Sequence, residues 1–162
     1  MAFNSDYGLD VTFANYILDI LTKKSSAYYL THNNVSKYPF DGIVDSPDIW
    51  YIGLSSTTPT FDAGSITGFT EPVGYGYNRV ALNQNLDFWE TADNGITSNK
   101  LYIDFPRTTG TWGTITHFGV FLNNTGGSPV IWGKLSTSIT PAINSIPSFS
   151  PNNLIISLVG GS

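Results

Sequence analysis

Two glutamates, ten aspartates and two histidines are the whole supply of side chains that could move a proton near neutral pH, and there is no cysteine. A glycosidase needs two carboxyl groups facing each other across a sugar bond, about 5–10 Å apart. Glu71 with Glu90, or Asp87 with Glu90, are the pairs on offer. Each lies beside a predicted strand or turn, where a solvated loop charge is the ordinary role of a carboxylate. His32 falls in an Asn-rich loop and His117 inside a β-like run. With no His pair at ligand spacing and no thiolate, no metal centre is expected. Gly74-Tyr75-Gly76-Tyr77 lacks the Lys and Ser/Thr of a phosphate loop, and no G-x-S-x-G elbow occurs. Its glycines are read as relieving crowding. The chain is therefore expected to be no enzyme, with no catalytic residue, metal or cofactor.

What remains is a set of side chains suited to contact. His117 shares a strand face with Ile115, Gly119 and Phe121 by alternation. It is read as a half-buried His bonded to backbone or neighbouring hydroxyls, one that would make assembly pH-sensitive if it lay at a subunit interface. Aromatics reach 14% of the chain. Trp50 and Trp132 sit within apolar runs and are read as packing residues. Trp112, flanked by glycines, and Trp89, beside Glu90, are expected to be exposed. An exposed aromatic suits the apolar face of a sugar and a protein interface equally. Phe13, Tyr16, Trp89, Trp112 and His117 are thus the candidate interface or ligand contacts.

The elements that must position them are mostly strands. Phe13, Tyr16, Ile17, Ile20 and Leu21 form one apolar helical stripe, with Asp10 or Thr12 placed to cap it and Lys23-Lys24 at its C-terminal end. Lys24 to Asp48 reads as loop, with a weak strand at Ala27 to Leu30. From Ile49 the period changes: Ile49–Leu54, Tyr75–Leu82, Lys100–Phe105, Thr114–Phe121, Pro129–Leu135 and Asn153–Leu158 are β-like runs. Leu86–Glu90 and Ser136–Thr140 are weaker ones. Asn123-Asn124-Thr125-Gly126-Gly127 supplies left-handed backbone positions that reverse Thr114–Phe121 into Pro129–Leu135. Pro106 to Gly113 reads as a compact loop folded over a sheet edge, and Ser55–Gly74 and Thr137–Pro151 as end loops available for adhesion. The expected fold is mainly β: an antiparallel, jelly-roll-like β-sandwich at 49–162, preceded by an arm, one short helix and a loop insertion at 1–48.

Charged residues make up 12% of the chain, about half the usual share. Few charges must be desolvated when such a surface is buried, which favours a chain held in permanent contacts. A net charge of −5 with scattered basic residues argues against nucleic-acid binding. No basic leader or long apolar run is evident, so neither a signal peptide nor membrane insertion is expected.

Phe105-Pro106, Gly110-Thr111-Trp112-Gly113-Thr114-Ile115-Thr116-His117-Phe118-Gly119-Val120-Phe121, Gly126-Gly127 and Trp132-Gly133-Lys134-Leu135 together resemble the signature of tail-fibre proteins of tailed bacteriophages. Upstream, Trp50 to Ser55, Thr58-Pro59-Thr60 and Gly76 to Val80 are similar to that family's first strand, turn and second strand. Downstream, Pro147-Ser148-Phe149 and Leu154 to Leu158 resemble its closing segment. The resemblance implies a non-enzymatic virion component assembled in the host bacterial cytoplasm. Its implied partners are other virion proteins of the tail or baseplate, further copies in a homotrimer, and a host surface glycan. Small β-modules of this size also decorate phage heads, which leaves a capsid decoration protein bound to the major capsid protein as the alternative. A carbohydrate-binding host-recognition module is the third reading. The insertion at Lys24 to Asp48 departs from the compact pattern of the family.

Overall fold

The computed structural model describes residues 18, 29–32, 35–39, 49–62, 65–83 and 87–157. Its strands are β1 (Tyr29–His32), β2 (Val35–Pro39), β3 (Ile49–Ser55), β4 (Thr60–Asp62), β5 (Ser65–Thr67), β6 (Val80–Asn83), β7 (Ile96–Ser98), β8 (Ile103–Asp104), β9 (Ile115–Phe121), β10 (Ile131–Ile139), β11 (Ser148–Phe149) and β12 (Ile155–Ser157). Every strand pairing is antiparallel. The chain is mainly β, as its run of β-branched and aromatic segments requires. Of the segment expected to be helical, only Leu18 is described, with helical backbone and a buried side chain. The stripe from Phe13 to Leu21 otherwise lies outside the described residues, as do Lys23-Lys24. Residues 49–83 with 103–149 form one compact unit, and 1–48, 84–102 and 150–162 form another.

In the first unit the sheet order is β10-β9-β3-β6. Trp50, Ile52 and Leu54 share one face, in register with Leu82 and Val80 on β6 and with Val120 and Phe118 on β9. Ile52, Leu54, Leu82 and Val120 are fully buried, each contributing about 1.5–3 kcal/mol. The opposite face is covered as well. There Gly53 stands directly across from Gly119. A Cβ on Gly53 would lie 2.6 Å from Glu71 Oε1, and one on Gly119 2.7 Å from Phe69 Cε2. The two glycines therefore open a trough in which Phe69 and Glu71 lie, with the Phe69 ring edge-on to Phe121 at 5.2 Å. On the first face, Phe118 meets Phe149 of β11 at 5.8 Å, and Phe149 meets Phe105 at 6.4 Å. The four-stranded sheet thus packs against the small β8-β11 sheet, the contact a sandwich needs.

The hairpin between β9 and β10 forms as its sequence predicts, with Gly126 and Gly127 at φ +66° and +69°. Four expectations are corrected. The strand expected from Tyr75 begins only at Val80, because Tyr75 and Gly76 take φ +51° and +80° and turn the chain. Lys24 to Asp48, read as loop, contains the β1-β2 hairpin, and Ser55 to Gly74 contains the β4-β5 hairpin. Pro129–Leu135 and Ser136–Thr140 merge into the single strand β10, interrupted by a bulge: Lys134 pairs with His117 and Ile139 with Ile115, so Leu135 to Ser138 stand against Thr116 alone.

In the second unit β7 pairs with β12. Asn94 and Gly95, at φ +49° and +72°, make the tight turn that brings Asp93 and Ile96 into two backbone hydrogen bonds of 2.9 Å. Buried Asn99 ties the segments of the unit together. Its Nδ2 donates to the Leu101 and Ser150 carbonyls at 2.7 and 3.0 Å, and its Oδ1 accepts from Leu154 N at 2.8 Å.

Candidate functional site

The polar centre of the first unit is an ion pair inside the loop that covers the sheet. Arg79 Nε and Nη2 donate to the two Glu71 oxygens at 2.9 and 2.6 Å. Nη1 donates to the carbonyls of Asn123 and Gly126 at 2.8 and 2.9 Å, and the guanidinium carbon lies 3.3 Å from the Phe121 ring centroid. One side chain thereby satisfies a carboxylate and two carbonyls of the β9-β10 turn. The Tyr77 hydroxyl donates to Glu71 Oε1 at 2.7 Å and accepts from Leu54 N at 2.8 Å. Burial foremost, with the negative Glu71 adding to it against the opposing Leu54 amide, holds the Tyr77 hydroxyl far above the ordinary phenol range. Tyr77 stays a donor at any working pH.

This ion pair and hydroxyl fix the chain just before β6, and with it the turn at Gly74–Tyr77, closed by Tyr77 N donating to Gly74 O at 3.0 Å. Tyr75 O accepts from Thr109 N and from Trp112 Nε1, both at 3.0 Å. The Tyr75 ring lies over Gly110, where a Cβ would come within 2.2 Å of it, and a Cβ on Gly76 would meet Arg107 O at 2.8 Å. The Gly-Tyr-Gly turn and the loop at 106–113 are therefore fitted to each other, Gly110 leaving room for the Tyr75 ring and Gly76 for the Arg107 carbonyl. A third loop joins on the far side. Thr108 N donates to Ser145 O at 2.9 Å, Asn144 N to Thr108 O at 2.8 Å and Phe105 N to Pro147 O at 2.9 Å. Thr108 Oγ1 adds a bond to Ala142 O at 2.6 Å.

The result is three loops zipped by backbone bonds, with apolar side chains left outside. Val73 is 89% exposed, Tyr75 55% and Ile143 63%, and Ile146 is also exposed. Such a surface is pre-organised, so a partner meets it with little ordering left to do. Tyr75 keeps a positive φ that bulky residues rarely adopt, and its ring is held at the surface by the carbonyl bonds beneath it.

The residues singled out by sequence fall differently. Phe13 and Tyr16 lie outside the described residues. Trp112, expected at the surface, is 5% exposed because the turn at Tyr75 closes over its loop; its ring meets Tyr77 edge-on at 5.1 Å and Phe105 at 6.4 Å. Trp89, also expected outside, is 0% exposed in the other unit, edge-on to Phe88 and bridged to Asn99. Trp50 is buried and Trp132 half-buried, both as packing residues. Glu71, read as a solvated loop charge, is instead the partner of Arg79, whose side chain is almost wholly buried. Glu90 lies 3.8 Å from Lys100 in a partly exposed pair of small energetic consequence. Tyr75 and Arg79 were missed as site residues; the glycines on either side of Tyr75 were the available signal. Among the described residues no group of three His, Asp or Glu could hold a metal ion, and no helix is long and apolar enough to cross a membrane.

His117 is buried, its Nδ1 2.8 Å from the Thr116 hydroxyl and its ring 5.7 Å from Trp132. Burial first, and the nearby Lys134 second, lower its pKa below the ordinary value. The unfolded chain then takes up the proton first as pH falls. The stability held by neutral His117 is complete above about pH 6.5 and is lost as pH falls from there through the lowered folded value. His117→Gln should flatten the decline in melting temperature between about pH 7.5 and about pH 5. An unchanged slope in a thermal-melt series across that range would assign the acid sensitivity elsewhere.

Compared with known protein families, residues 26–157, most of the chain, match the family described as Podophage GP4 fiber I protein gp80. Comparison with curated proteins gives no match.

Proposed function

The chain belongs to the family of the Podophage GP4 fiber I protein gp80, and from that premise we propose that it is a non-enzymatic structural component of a tailed-phage virion, a fibre- or baseplate-type appendage that works by adhesion. The observation that carries the adhesive part is the three-loop surface, where Val73, Tyr75 and Ile143 stand exposed on loops held by backbone hydrogen bonds. An exposed aromatic on a backbone held in place is the composition of an interface anchor. Its partner is another virion protein of the tail or baseplate, or a glycan at the host surface, since both chemistries use an exposed aromatic face. Residues 1–48 serve as the anchoring arm.

The test is made on particles. Immunogold label should fall on the tail or its appendages, and label spread over the head would replace this reading with capsid decoration. Particles carrying Tyr75→Asn, which removes the ring yet tolerates the positive φ, should either lose the label from the tail or keep it and adsorb to host cells at least about tenfold more slowly, the effect of losing one anchor worth about 1.4 kcal/mol or more. Normal labelling with normal adsorption would remove the three-loop surface from the mechanism.

A further inference from the structure

We propose that the three-loop surface takes a carboxylate-bearing saccharide of the host surface, stacked on the outward face of Tyr75 with its carboxylate on Arg107. This rests on the adhesive reading above and narrows it to one class of ligand. The attitude of the Tyr75 ring is the first observation. A Cβ built on Gly110 would stand 2.6 Å from Cγ and 2.7 Å from Cε1 of that ring, with Cδ1 between them nearer still. A point beside the ring edge would be much farther from the two flanking carbons than from the nearest one, whereas a point over the face is close to all three. The ring therefore lies face-down on the Gly110 backbone, and because Tyr75 is 55% exposed, its other face is turned to solvent. Such a face is a platform for the apolar C–H side of a pyranose. An aromatic that fills a pocket on a protein partner stands clear of its own surface instead.

Arg107 is the second observation. It is the only residue charged at neutral pH in the three loops, at 72–77, 106–113 and 141–147. Its Nη1 donates to Asn144 O at 2.5 Å, which holds the guanidinium beside the loop that carries Ile143. Nε and Nη2 have no acceptor among the described residues, and no carboxylate there lies in ion-pair range of them. Arg107 and the Tyr75 turn adjoin: a Cβ on Gly76 would lie 2.8 Å from Arg107 O and 3.8 Å from the Thr109 side chain, and Arg107 and Thr109 are both exposed. A guanidinium steadied by one nitrogen, with the others unspent, is matched in shape and charge to a carboxylate. The surrounding charge does not oppose one. Within the first unit Asp62, Glu71 and Asp104 are balanced by Arg79, Arg107 and Lys134, so the net charge of −5 belongs to the rest of the chain. An acidic protein segment would answer Arg107 but leave the open ring face without a flat partner. A uronate or sialate chain answers both, since each such sugar carries a carboxylate and an apolar ring face.

The test sets the full chain against an array of uronate- and sialate-containing oligosaccharides spotted beside their carboxyl-reduced forms, with poly-glutamate as the acidic peptide. The wild type should bind acidic members of the array, and carboxyl reduction should weaken that binding at least about tenfold, the effect of losing one charge-assisted contact. Arg107→Gln should lose the same factor on the acidic members and leave the reduced forms as they were, with Arg107→Lys in between. A variant that had lost its fold would lose the reduced forms as well, so the ratio of the two reports the guanidinium alone. Tyr75→Asn should weaken both. A blank array, equal binding of acidic and reduced forms, poly-glutamate bound as tightly as the sugars, or a ratio unchanged in Arg107→Gln would each overturn the proposal. Should the array be blank while particles carrying Tyr75→Asn still adsorb slowly, the adhesive surface stands and only its ligand class falls.

Discussion

Arg79→Ala should lower the unfolding free energy by about 3–5 kcal/mol, the loss typical of breaking a buried ion pair by removing one partner. The size follows from what the guanidinium leaves behind. Glu71 would keep its charge with only the Tyr77 hydroxyl as a donor, and the carbonyls of Asn123 and Gly126 would lose the donor that ties the β9-β10 turn to the covering loop. The contact over Phe121 would open at the same time. Arg79→Lys should recover only part of the loss, since a single ammonium cannot reproduce the two-point grip on Glu71 and reach both carbonyls. The double variant Glu71→Gln with Arg79→Met should be more stable than Arg79→Met alone, because the stranded carboxylate is gone. Urea unfolding of the wild type, Glu71→Gln, Arg79→Met and the double variant, analysed as a double-mutant cycle, decides the matter. A loss under about 1 kcal/mol for Arg79→Ala would place the pair among exposed surface bridges.

How far the fold could be read from the chain depends on whether local signals agree. β3, β9 and β12 appear within a residue or two of the expected ranges, since their alternation is bounded by Pro, Gly and Asn clusters. The β9-β10 hairpin was legible for the same reason, its left-handed positions being filled by Gly126 and Gly127. The stretch from Tyr75 misled because its residues have strand propensity, yet Gly74 and Gly76 admit a turn that tertiary docking selects. Nothing local reveals that Gly110 and Gly76 are empty for the sake of one another's loops. The Gly53-Gly119 trough is equally a property of two strands placed side by side. The ion pair was hidden by the same limit: Glu71 and Arg79 are eight residues apart across a turn whose course only the packed loop defines.

The two tryptophans expected outside show why exposure was the least legible property. Of the glycines flanking Trp112, Gly113 serves a positive φ, whereas Gly110 marks a backbone that the Tyr75 ring approaches closely, and that turn covers the indole instead of leaving it displayed. Tyr75 takes the surface position in its place.

Trp112→Ala should therefore act on stability before it acts on any partner, costing about 3–5 kcal/mol as a buried indole replaced by a methyl group. The void would open between Tyr77 and Phe105, and the bond from Nε1 to Tyr75 O would go with it. Trp112→Phe keeps much of the ring packing and loses that hydrogen bond, so about 1–2 kcal/mol is expected from it. The two variants separate the roles of the side chain. Loss of packing lowers the whole unfolding transition, whereas loss of the Tyr75 anchor alone should loosen the exposed turn first, read as faster amide exchange at Gly76 and Tyr77 in Trp112→Phe with a melt lowered by only a few degrees. An exposed Trp112 would have given the reverse pattern: a melt unaffected by Ala and a defect confined to adsorption. Thermal unfolding of the Ala variant is thus the measurement that distinguishes a residue displayed at the surface from one packed beneath the turn that carries Tyr75.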